Sequence, residues 1–267
     1  MKKLNLLLII LLIASCNQTG SDPLTMLKSG QWIDLTYEFD EHTIYWPTNT
    51  PFRHDTVFYG INEKGYFYSS FKYSAEEHGG THFDAPIHFG QGQNSIDEVP
   101  ISQCTGEGIV INVSEKALED ADYLVTVEDF TLWESEYGQI PDGAIVLLFT
   151  GYGQFWNDPA KYIGTDKTGA DAIPELHFPG LHPDAAEWLV SNRNIKAIGL
   201  DTPSIDYGQS GDFMSHRILC AQGLTIYENV AHLDEVPPKG SYIVALPMKI
   251  KGGSGAPLRI VAFIPAI

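Results

Sequence analysis

The residues best suited to chemistry in this 267-residue chain lie close together between positions 78 and 88. This stretch reads His-Gly-Gly-Thr-His-Phe-Asp-Ala-Pro-Ile-His, so three of the chain's nine histidines and one carboxylate fall within it. Neutral imidazole and carboxylate are the ligands that Zn²⁺, Mn²⁺ and Fe²⁺ prefer in proteins, and the stretch contains no thiol. Its composition therefore predicts a site for a divalent metal ion.

The spacing within the stretch favours extended chain over a helix. His78 and His82 would share one face of a helix at i, i+4, but Gly79-Gly80 and Pro86 make a regular helix costly. On an extended strand, His82 and Asp84 point to the same face with their Cα atoms ~7 Å apart. We therefore expect these two side chains to bind one ion.

His78 and His88 lie on either side of this pair in the sequence, and each would approach the ion by a different backbone path. A straight strand would place His78 ~13 Å from His82, so the two glycines must turn the chain back, which glycine permits at little steric cost. His88 shares the strand face but lies beyond a proline, which places it beside the ion rather than on it. The alternatives are a loop with surface histidines and a closed structural zinc site, although closed zinc sites usually recruit cysteine.

A second polar segment begins at position 201, directly after a buried strand predicted over 195–200. Residues 201–206 read Asp-Thr-Pro-Ser-Ile-Asp, and α/β proteins often place functional loops at such strand ends. A helix is predicted over 213–222, with Asp212 as its cap.

This helix presents His216 and is expected to end at Gly223. A return strand over 224–227 then delivers Glu228. The two side chains could therefore reach one place, although such a pair alone is weak evidence for a site.

Both segments carry a resemblance to a known family. His-x-Gly-Thr-His-x-Asp-Ala-Pro-x-His resembles the signature of the metal-dependent cyclase family, which includes bacterial kynurenine formamidases and isatin hydrolases. The later family pattern is matched by Asp201, Ser204, Asp206, His216, Gly223 and Glu228. The resemblance extends from about residue 32 to residue 233, and the long segment 155–174 departs from it.

This resemblance implies roles for the matched residues. The implied metal ligands are His78, His82, Asp84, His216 and Glu228, which would hold one or two ions of zinc or manganese. Asp84 would be able to bridge two ions, and His88 would act outside the ligands as the acid or base. A Trp-Pro segment near the family's substrate implies that Trp46 lines the pocket, although a core or loop role is equally compatible with the sequence.

The implied reaction is hydrolysis of an amide, cyclic amide or lactone bond in a small molecule. A divalent ion with an open position lowers the pKa of bound water to about 7 and polarises a carbonyl group. His88 would take a proton from that water and return it to the leaving amine, since imidazole titrates near pH ~6.5. Both an aryl formamide and an isatin-like ring suit this chemistry. The alternatives are a metal-dependent cyclase or dehydratase, and a lipid-anchored metal- or ligand-binding protein without activity.

The amino-acid composition limits the class of fold and the kinds of partner that the chain can have. The chain is 43% hydrophobic with glycine and proline spread throughout, which predicts one domain with a sizeable core. A formal net charge of −18 without a basic run argues against a nucleic-acid partner. Predicted strands alternate with helices in the middle and pair directly near both ends, so we expect a single α/β domain with a mixed β-sheet core and flanking helices. The resemblance implies the family's swivelling β/β/α fold and a homodimer.

The first residues predict export. Lys2-Lys3 forms a charged region and residues 4–13 form an apolar run that is too short to span a bilayer. Ile13-Ala14-Ser15-Cys16 resembles a bacterial lipobox, in which Cys16 becomes lipidated after cleavage. An ordinary signal peptide is the alternative and also implies export. We therefore predict a signal peptide over 1–16, a tether over 17–29 and a hydrolase domain over 30–267, anchored by lipid in the bacterial cell envelope, on its periplasmic or outer-membrane face.

Three further predictions concern the packing of the chain. Strands over 55–59 and 66–73 are expected to pair around a turn at 62–65, and we assign Phe67 and Phe71 to the core. The segment 155–174 is predicted to be an irregular loop over the site. The two cysteines that remain after processing, Cys104 and Cys220, are expected to be buried free thiols, although pairing is possible in an oxidising compartment.

Overall fold

Twelve strands and six α-helices make up the part of the chain that this computed structural model describes, residues 23–266. The strands are β1 (Gln31–Asp34), β2 (Arg53–Ile61), β3 (Phe67–Ser74), β4 (His82–Asp84), β5 (Thr105–Asn112), β6 (Leu124–Val125), β7 (Ile145–Phe149), β8 (Gly180–Leu181), β9 (Ala197–Leu200), β10 (Thr225–Glu228), β11 (Ser241–Pro247) and β12 (Gly255–Ile264). The helices are α1 (Pro23–Ser29), α2 (Ser114–Glu119), α3 (Val127–Tyr137), α4 (Pro159–Tyr162), α5 (Pro183–Asn192) and α6 (Met214–Ala221).

Eight strands form one mixed sheet that closes on itself. The strand order is β1-β12-β11-β5-β7-β9-β10-β4, and β4 also pairs with β12. Strands β5, β7, β9 and β10 run parallel to one another, whereas the remaining pairs are antiparallel. The sheet therefore has a barrel-like core, and its closure depends on β4, the short strand that carries His82 and Asp84. The predicted mixed α/β domain is confirmed.

The central strands bury both of their faces, which explains their continuous apolar sequence. In β7, Ile145 and Leu147 pack with Tyr227 in the cluster within the closed sheet. Val146 and Leu148 belong to a second cluster, which lies beneath α3, α5 and α6. The helices therefore cover the outside of the parallel strands and hold them in place beneath the site.

The start of α3 matches its predicted capping pattern, whereas the start of α6 does not. Thr126 and Asp129 form the expected capping box. Asp212 does not cap α6, because Phe213 occupies the capping position with a positive φ of 52°. The carboxylate of Asp206 instead accepts hydrogen bonds from the backbone N–H groups of Ser215 and His216, at 2.9 and 3.2 Å.

Strands β2 and β3 form a separate hairpin that joins no other strand. Its turn and pairing are as predicted, but the assignment of Phe67 and Phe71 to the core is wrong. These side chains are 56% and 44% exposed. Their β-rich, aromatic sequence is typical of a buried strand, yet the hairpin lies outside both hydrophobic clusters of the sheet.

The segment 155–174 is more ordered than an irregular loop. It contains α4, between two 3₁₀ turns at Tyr152–Phe155 and Ala170–Glu175. Tyr162 in α4 is fully buried. The segment is irregular in sequence because it is built from single turns, each started or ended by glycine or proline.

The predicted signal peptide and residues 17–22 of the tether lie outside the described residues, and α1 occupies 23–29 of that tether. Among residues 23–266, no helix is long and apolar enough to cross a bilayer. Cys104 and Cys220 are both buried and unpaired, as predicted.

Candidate metal centre and active site

Two antiparallel strands bring three of the predicted ligands together. In the pairing of β4 with β10, His82 lies directly opposite Glu228. Opposite residues share a face of the sheet, as do residues two apart on one strand, so His82, Asp84 and Glu228 point the same way. All three side chains are buried. The sheet register alone therefore brings together three of the five predicted ligands.

The two glycines return His78 to this cluster. Gly80 has a φ of +56°, and its N–H donates to the carbonyl of Ile44 at 2.9 Å, which fixes the turn. His78 Nδ1 lies 2.7 Å from Asp84 Oδ1. Gly255 on β12 leaves room for this ring, because a Cβ there would approach His78 Cε1 to 2.5 Å.

Helix α6 supplies the remaining predicted ligand. His216 is buried in the first turn of the helix. Its Nε2 atom lies 3.2 Å from Asp84 Oδ2 and 3.2 Å from Glu228 Oε1. The two distant parts of the chain therefore meet around one carboxylate pair, as the sequence predicts.

Hydrogen bonds away from the cluster fix which nitrogen of each imidazole faces it. His78 Nε2 lies 2.9 Å from Ser254 Oγ, which in turn donates to Glu77 Oε2 at 2.8 Å. Because the Ser254 proton goes to the carboxylate, the serine accepts from His78 Nε2–H. Nδ1 of His78 is then the atom with a free lone pair towards Asp84.

The other two imidazoles follow the same rule. His82 Nδ1 donates to the carbonyl of Gly80 at 2.9 Å, and His216 Nδ1 donates to Asp206 Oδ2 at 2.6 Å. In both residues Nε2 faces the cluster. Such outer partners orient metal-binding histidines and raise their basicity.

The donor set fits a divalent metal ion. His82 Nε2 is buried and makes no hydrogen bond, although it lies 3.2 Å from Asp84 Oδ1 and 3.3 Å from Glu228 Oε2. Ligands of a tetrahedral ion at ~2.1 Å lie ~3.4 Å from one another, close to these separations. A buried nitrogen without a partner, facing two carboxylates at ligand spacing, is the arrangement that a cation satisfies.

The two buried carboxylates of the cluster, Asp84 and Glu228, favour a positive charge placed next to them. Burial alone lowers the pKa of His82, but Asp84 and Glu228 outweigh it and raise that pKa to about 10. Burial opposes ionisation of Asp84, yet the surrounding histidines hold its pKa well below the usual range. The pKa of Glu228 is lowered as well, so both carboxylates are ionised at neutral pH.

His88 lies at the edge of the cluster, in a 3₁₀ turn over Pro86–His88. Its ring stacks on that of His78 at 3.8 Å between centroids. Burial lowers the pKa of His88 to about 4. A donor atom of His88 also lies within 4.8 Å of donor atoms of Asp84 and His216. This position suits proton transfer in the pocket and would also allow contact with a second ion.

An aromatic pocket of about 310 Å³ opens above these residues. Trp46, Phe89 and Phe213 line it together with His88 and His216. The Trp46 and Phe213 rings meet edge to face at 6.1 Å. Trp46 therefore lies on the pocket wall, which is one of the two positions left open by the sequence.

Asp201 matches the family pattern but does not line the pocket. The buried Asp201 carboxylate accepts hydrogen bonds from Thr150 and from the Gly151 N–H, which makes it a support for the loops.

Glu77, Ser254 and Phe213 also belong to the site, although the sequence did not predict them. Glu77 adjoins His78 and Phe213 adjoins the second motif, so proximity was a usable signal for both. Ser254 carries no such signal, since it lies 176 residues from His78.

The fold and this centre define the class of protein. A profile of the family described as "Putative cyclase" matches residues 33–207, and the chain belongs to this family.

Two curated relatives are similar over most of the chain. The isatin hydrolase of Roseibium aggregatum is 34% identical over 197 residues, which cover 71% of this chain and 72% of that protein. The kynurenine formamidase of Bacillus cereus is 28% identical over 241 residues, covering 88% and 98%. The solved structure of isatin hydrolase A from Labrenzia aggregata, bound to benzyl benzoate, has a TM-score of 0.80 at 32% identity and covers 89% and 94% of the two chains.

Proposed function

We propose that this protein opens the cyclic amide of an isatin-like aromatic molecule. It is a metal-dependent hydrolase of non-peptide carbon–nitrogen bonds that acts on a small molecule. The observation that carries the proposal is the convergence of buried imidazoles and carboxylates on the floor of an aromatic pocket. The likeness to isatin hydrolases in sequence and structure supports the cyclic substrate.

The proposed reaction adds water across the amide bond. The carbonyl carbon gains a hydroxyl oxygen, the bond from carbon to nitrogen breaks, and the nitrogen leaves as an amine that carries a proton from water. When bound, a divalent ion supplies a Lewis acid that polarises a carbonyl group and lowers the pKa of water. The products are a carboxylate and an aromatic amine on one molecule.

His88 is the proposed proton carrier. Its ring lines the pocket, and its stacking on His78 holds it beside the carboxylate cluster. From there it can accept a proton from water and deliver it to the leaving nitrogen. Asn49 and Ser204 are further polar residues of the same pocket wall.

The pocket suits a flat, small ring system. Trp46, Phe89 and Phe213 offer aromatic faces and edges, and ring pairs with centroids ~4.5–7 Å apart contribute about 0.5–1.5 kcal/mol beyond burial. A volume of about 310 Å³ lies at the lower end of the range of ligand pockets. A bicyclic amide fits these walls better than a long flexible chain.

Zinc or manganese is the proposed metal, because imidazole and carboxylate are ligands of both. One or two ions are proposed, because Asp84 could hold an ion with either carboxylate oxygen. Oδ1 of Asp84 faces His78 and His82, whereas Oδ2 faces His216. A carboxylate that faces different histidines with each oxygen is arranged to bridge.

Substrate assays with the purified protein test the function. Protein loaded with Zn²⁺ or Mn²⁺ is mixed with isatin, N-formylkynurenine or a simple lactone, and each product is followed by absorbance. We expect turnover of isatin to exceed turnover of the other two. Tight metal binding without turnover of any of them would favour a metal- or ligand-binding protein.

An aryl formamide is the second candidate substrate. It is supported by the likeness to kynurenine formamidase, which extends over 241 residues. The same assay separates the two candidates, since N-formylkynurenine would then be the better substrate. A cyclase or dehydratase would also bind the metal and turn over none of the three, so that outcome would contradict the hydrolase without separating these enzymes from a binding protein.

A homodimer is the proposed assembly, and the β2–β3 hairpin is the surface that supports it. Nine large apolar side chains between residues 57 and 73 are exposed on this hairpin. Because one aromatic side chain offers ~150–250 Å², the exposed apolar area is on the order of 1,000 Å². That exceeds the largest patch of a typical monomer, ~300–600 Å², and matches the ~800 Å² per partner of a stable interface.

A second copy of the chain fits this surface better than a membrane does. The turn of the hairpin carries Glu63 and Lys64, so the tip that would enter a bilayer first is charged. The apolar side chains instead follow the two strands, on both faces. A hairpin that inserts into a second copy of the chain can be covered on both faces, which a flat lipid surface cannot do.

Lipid anchoring in the cell envelope is proposed from the N-terminal sequence alone. Replacing Cys16 with Ser would remove the predicted lipidation site. In the native host, the wild-type protein is then expected to fractionate with membranes and the variant to lose its lipid. A wild-type protein without lipid, cut after another residue, would support an ordinary signal peptide instead.

A further inference from the structure

Asn229 directly follows Glu228 and is 1% exposed. It hydrogen-bonds to the turn that carries the predicted ligands, through its side chain and through its backbone. We propose that Asn229 is a positioning residue that holds His82 and Glu228 at the spacing the metal requires. The proposal rests on the metal centre of the proposed function.

The side chain of Asn229 acts through one carbonyl group. Its Nδ2 donates to the carbonyl oxygen of Gly80 at 2.7 Å. The same oxygen accepts the Nδ1–H of His82 at 2.9 Å. A carbonyl with two lone pairs can accept both bonds, and the amide thereby fixes the direction in which the imidazole must point. Nε2 of His82 is held towards Glu228 as a result.

The orientation of the amide is itself fixed by Tyr162. The tyrosine hydroxyl lies 2.8 Å from Asn229 Oδ1 and 3.0 Å from the carbonyl of Asp201. Because the hydroxyl can donate to Oδ1, the NH₂ group of Asn229 is the part that faces Gly80. Helix α4 therefore reaches the predicted metal centre through a single buried side chain.

The backbone of Asn229 makes two further hydrogen bonds, one to the residue before β4 and one to the loop after β9. Its carbonyl accepts from Thr81 Oγ1 at 2.6 Å, and its N–H donates to the carbonyl of Thr202 at 2.9 Å. Its φ of 52° is left-handed, a conformation in which asparagine is enriched among residues other than glycine. An asparagine satisfies both requirements of the position, a left-handed backbone and a side-chain donor.

Two variants and one control test the proposal. Asn229→Gly keeps the left-handed backbone without strain and removes only the side chain. Tyr162→Phe keeps the packing of the ring and removes the hydroxyl that orients the amide. His232→Gly is the control, since His232 also has a φ of 52° but is exposed and lies outside the pocket.

Zinc affinity, measured by competition with a chromophoric chelator, is the main readout. We expect Asn229→Gly to bind zinc about 10–100-fold more weakly than the wild type, as for other outer partners of metal ligands. Tyr162→Phe should weaken binding in the same direction and by less, and His232→Gly should bind as the wild type does. The rise in Tm on adding zinc should be smaller in both test variants.

Three results would overturn the proposal in distinguishable ways. Wild-type affinity in both variants would remove the positioning role while leaving the metal centre intact. Equal losses of Tm with and without zinc, at unchanged affinity, would reduce Asn229 to a structural residue. Failure of the wild type to bind zinc would overturn the metal centre itself. If Asn229→Gly does not fold, the affinity of Tyr162→Phe decides.

Discussion

The Asp84 carboxylate connects the two halves of the predicted metal centre, which are the segment 78–88 and the pair of His216 and Glu228. It is fully buried, with His78 and His82 on one carboxylate oxygen and His216 on the other. An isolated buried carboxylate would be strongly disfavoured, so its environment must supply positive charge. The surrounding imidazoles and a bound cation provide that charge.

Replacing His88 with Ala separates metal binding from turnover. Because His88 is proposed to move protons rather than to anchor the metal, the variant should keep its metal and lose about 10²–10⁴-fold in kcat. Metal analysis and steady-state kinetics on isatin measure the two effects. His177→Ala is the matched control, since that histidine pairs with Asp122 away from the pocket. Unchanged kcat in His88→Ala would remove His88 from the reaction.

At the residue scale, spacing within the first motif and the family resemblance of the second predicted which side chains meet. The stretch from His78 to His88 and the pair of His216 and Glu228 are brought together as expected. Their outer partners could not be predicted in the same way. Ser254 reaches His78 only because β12 pairs with β4, and a sequence does not reveal a contact that depends on how a sheet closes.

At the scale of elements, the β2–β3 hairpin is the feature that the sequence describes least well. Its aromatic residues are typical of a core strand, and only the sheet topology shows that the hairpin joins no other strand. Two-stranded hairpins are at best marginally stable alone in water. A second copy of the chain is the proposed source of the missing packing.

The double variant Tyr59→Ser with Phe67→Ser tests this role of the hairpin. The two rings meet edge to face at 5.3 Å and are both exposed, so the change removes apolar surface without opening a core. We expect the wild type to sediment as a dimer and the variant as a monomer in analytical ultracentrifugation. Leu132→Ser, an exposed position on α3, should leave the dimer intact. A dimeric double variant would contradict the proposed interface.

A second element-scale prediction concerns the contact between α3 and the end of α5. Arg193 donates to Glu134 through two nitrogens, and this holds the pKa of the Glu134 carboxyl below its usual value. A lowered pKa stabilises the fold above the unfolded pKa of ~4.3, and that contribution is lost as pH falls through the lower, folded pKa.

Glu134→Gln is therefore expected to lower the free energy of unfolding by about 1 kcal/mol at pH 7, since the pair is only partly shielded from water. The difference from the wild type should shrink as the pH falls below ~4. Urea unfolding of both proteins across this range measures it. Glu187→Gln, at an exposed position on α5, is the control. A difference that does not change with pH would show that charge at Glu134 is not its source.

At the scale of the whole molecule, the metal centre and the closure of the sheet share β4. This strand pairs with β10 and β12 and carries two of the predicted ligands. A bound metal therefore ties together the strands that close the barrel-like core. The mixed α/β class was predictable from the alternation of strands and helices, whereas this closure was not, because it depends on a strand of three residues.

Removal of the metal should lower the stability of the whole domain. Ligand present at ~100 times its Kd stabilises a protein by about 2.7 kcal/mol, which corresponds to a rise in Tm of roughly 5–10 °C for a domain of this size. We expect EDTA to lower the Tm by that amount and zinc or manganese to restore it. Magnesium is the control. The protein carries a net charge of −18, so any divalent cation can raise the Tm by reducing repulsion among its negative side chains. Equal restoration by magnesium would argue against a specific centre.

Anomalous diffraction from crystals grown with zinc, recorded on both sides of the zinc absorption edge, tests the central claim most directly. The predicted result is an edge-dependent peak bounded by His78, His82, Asp84, His216 and Glu228, beneath the aromatic pocket. Crystals without such a peak, or with zinc only at surface carboxylates, would contradict it.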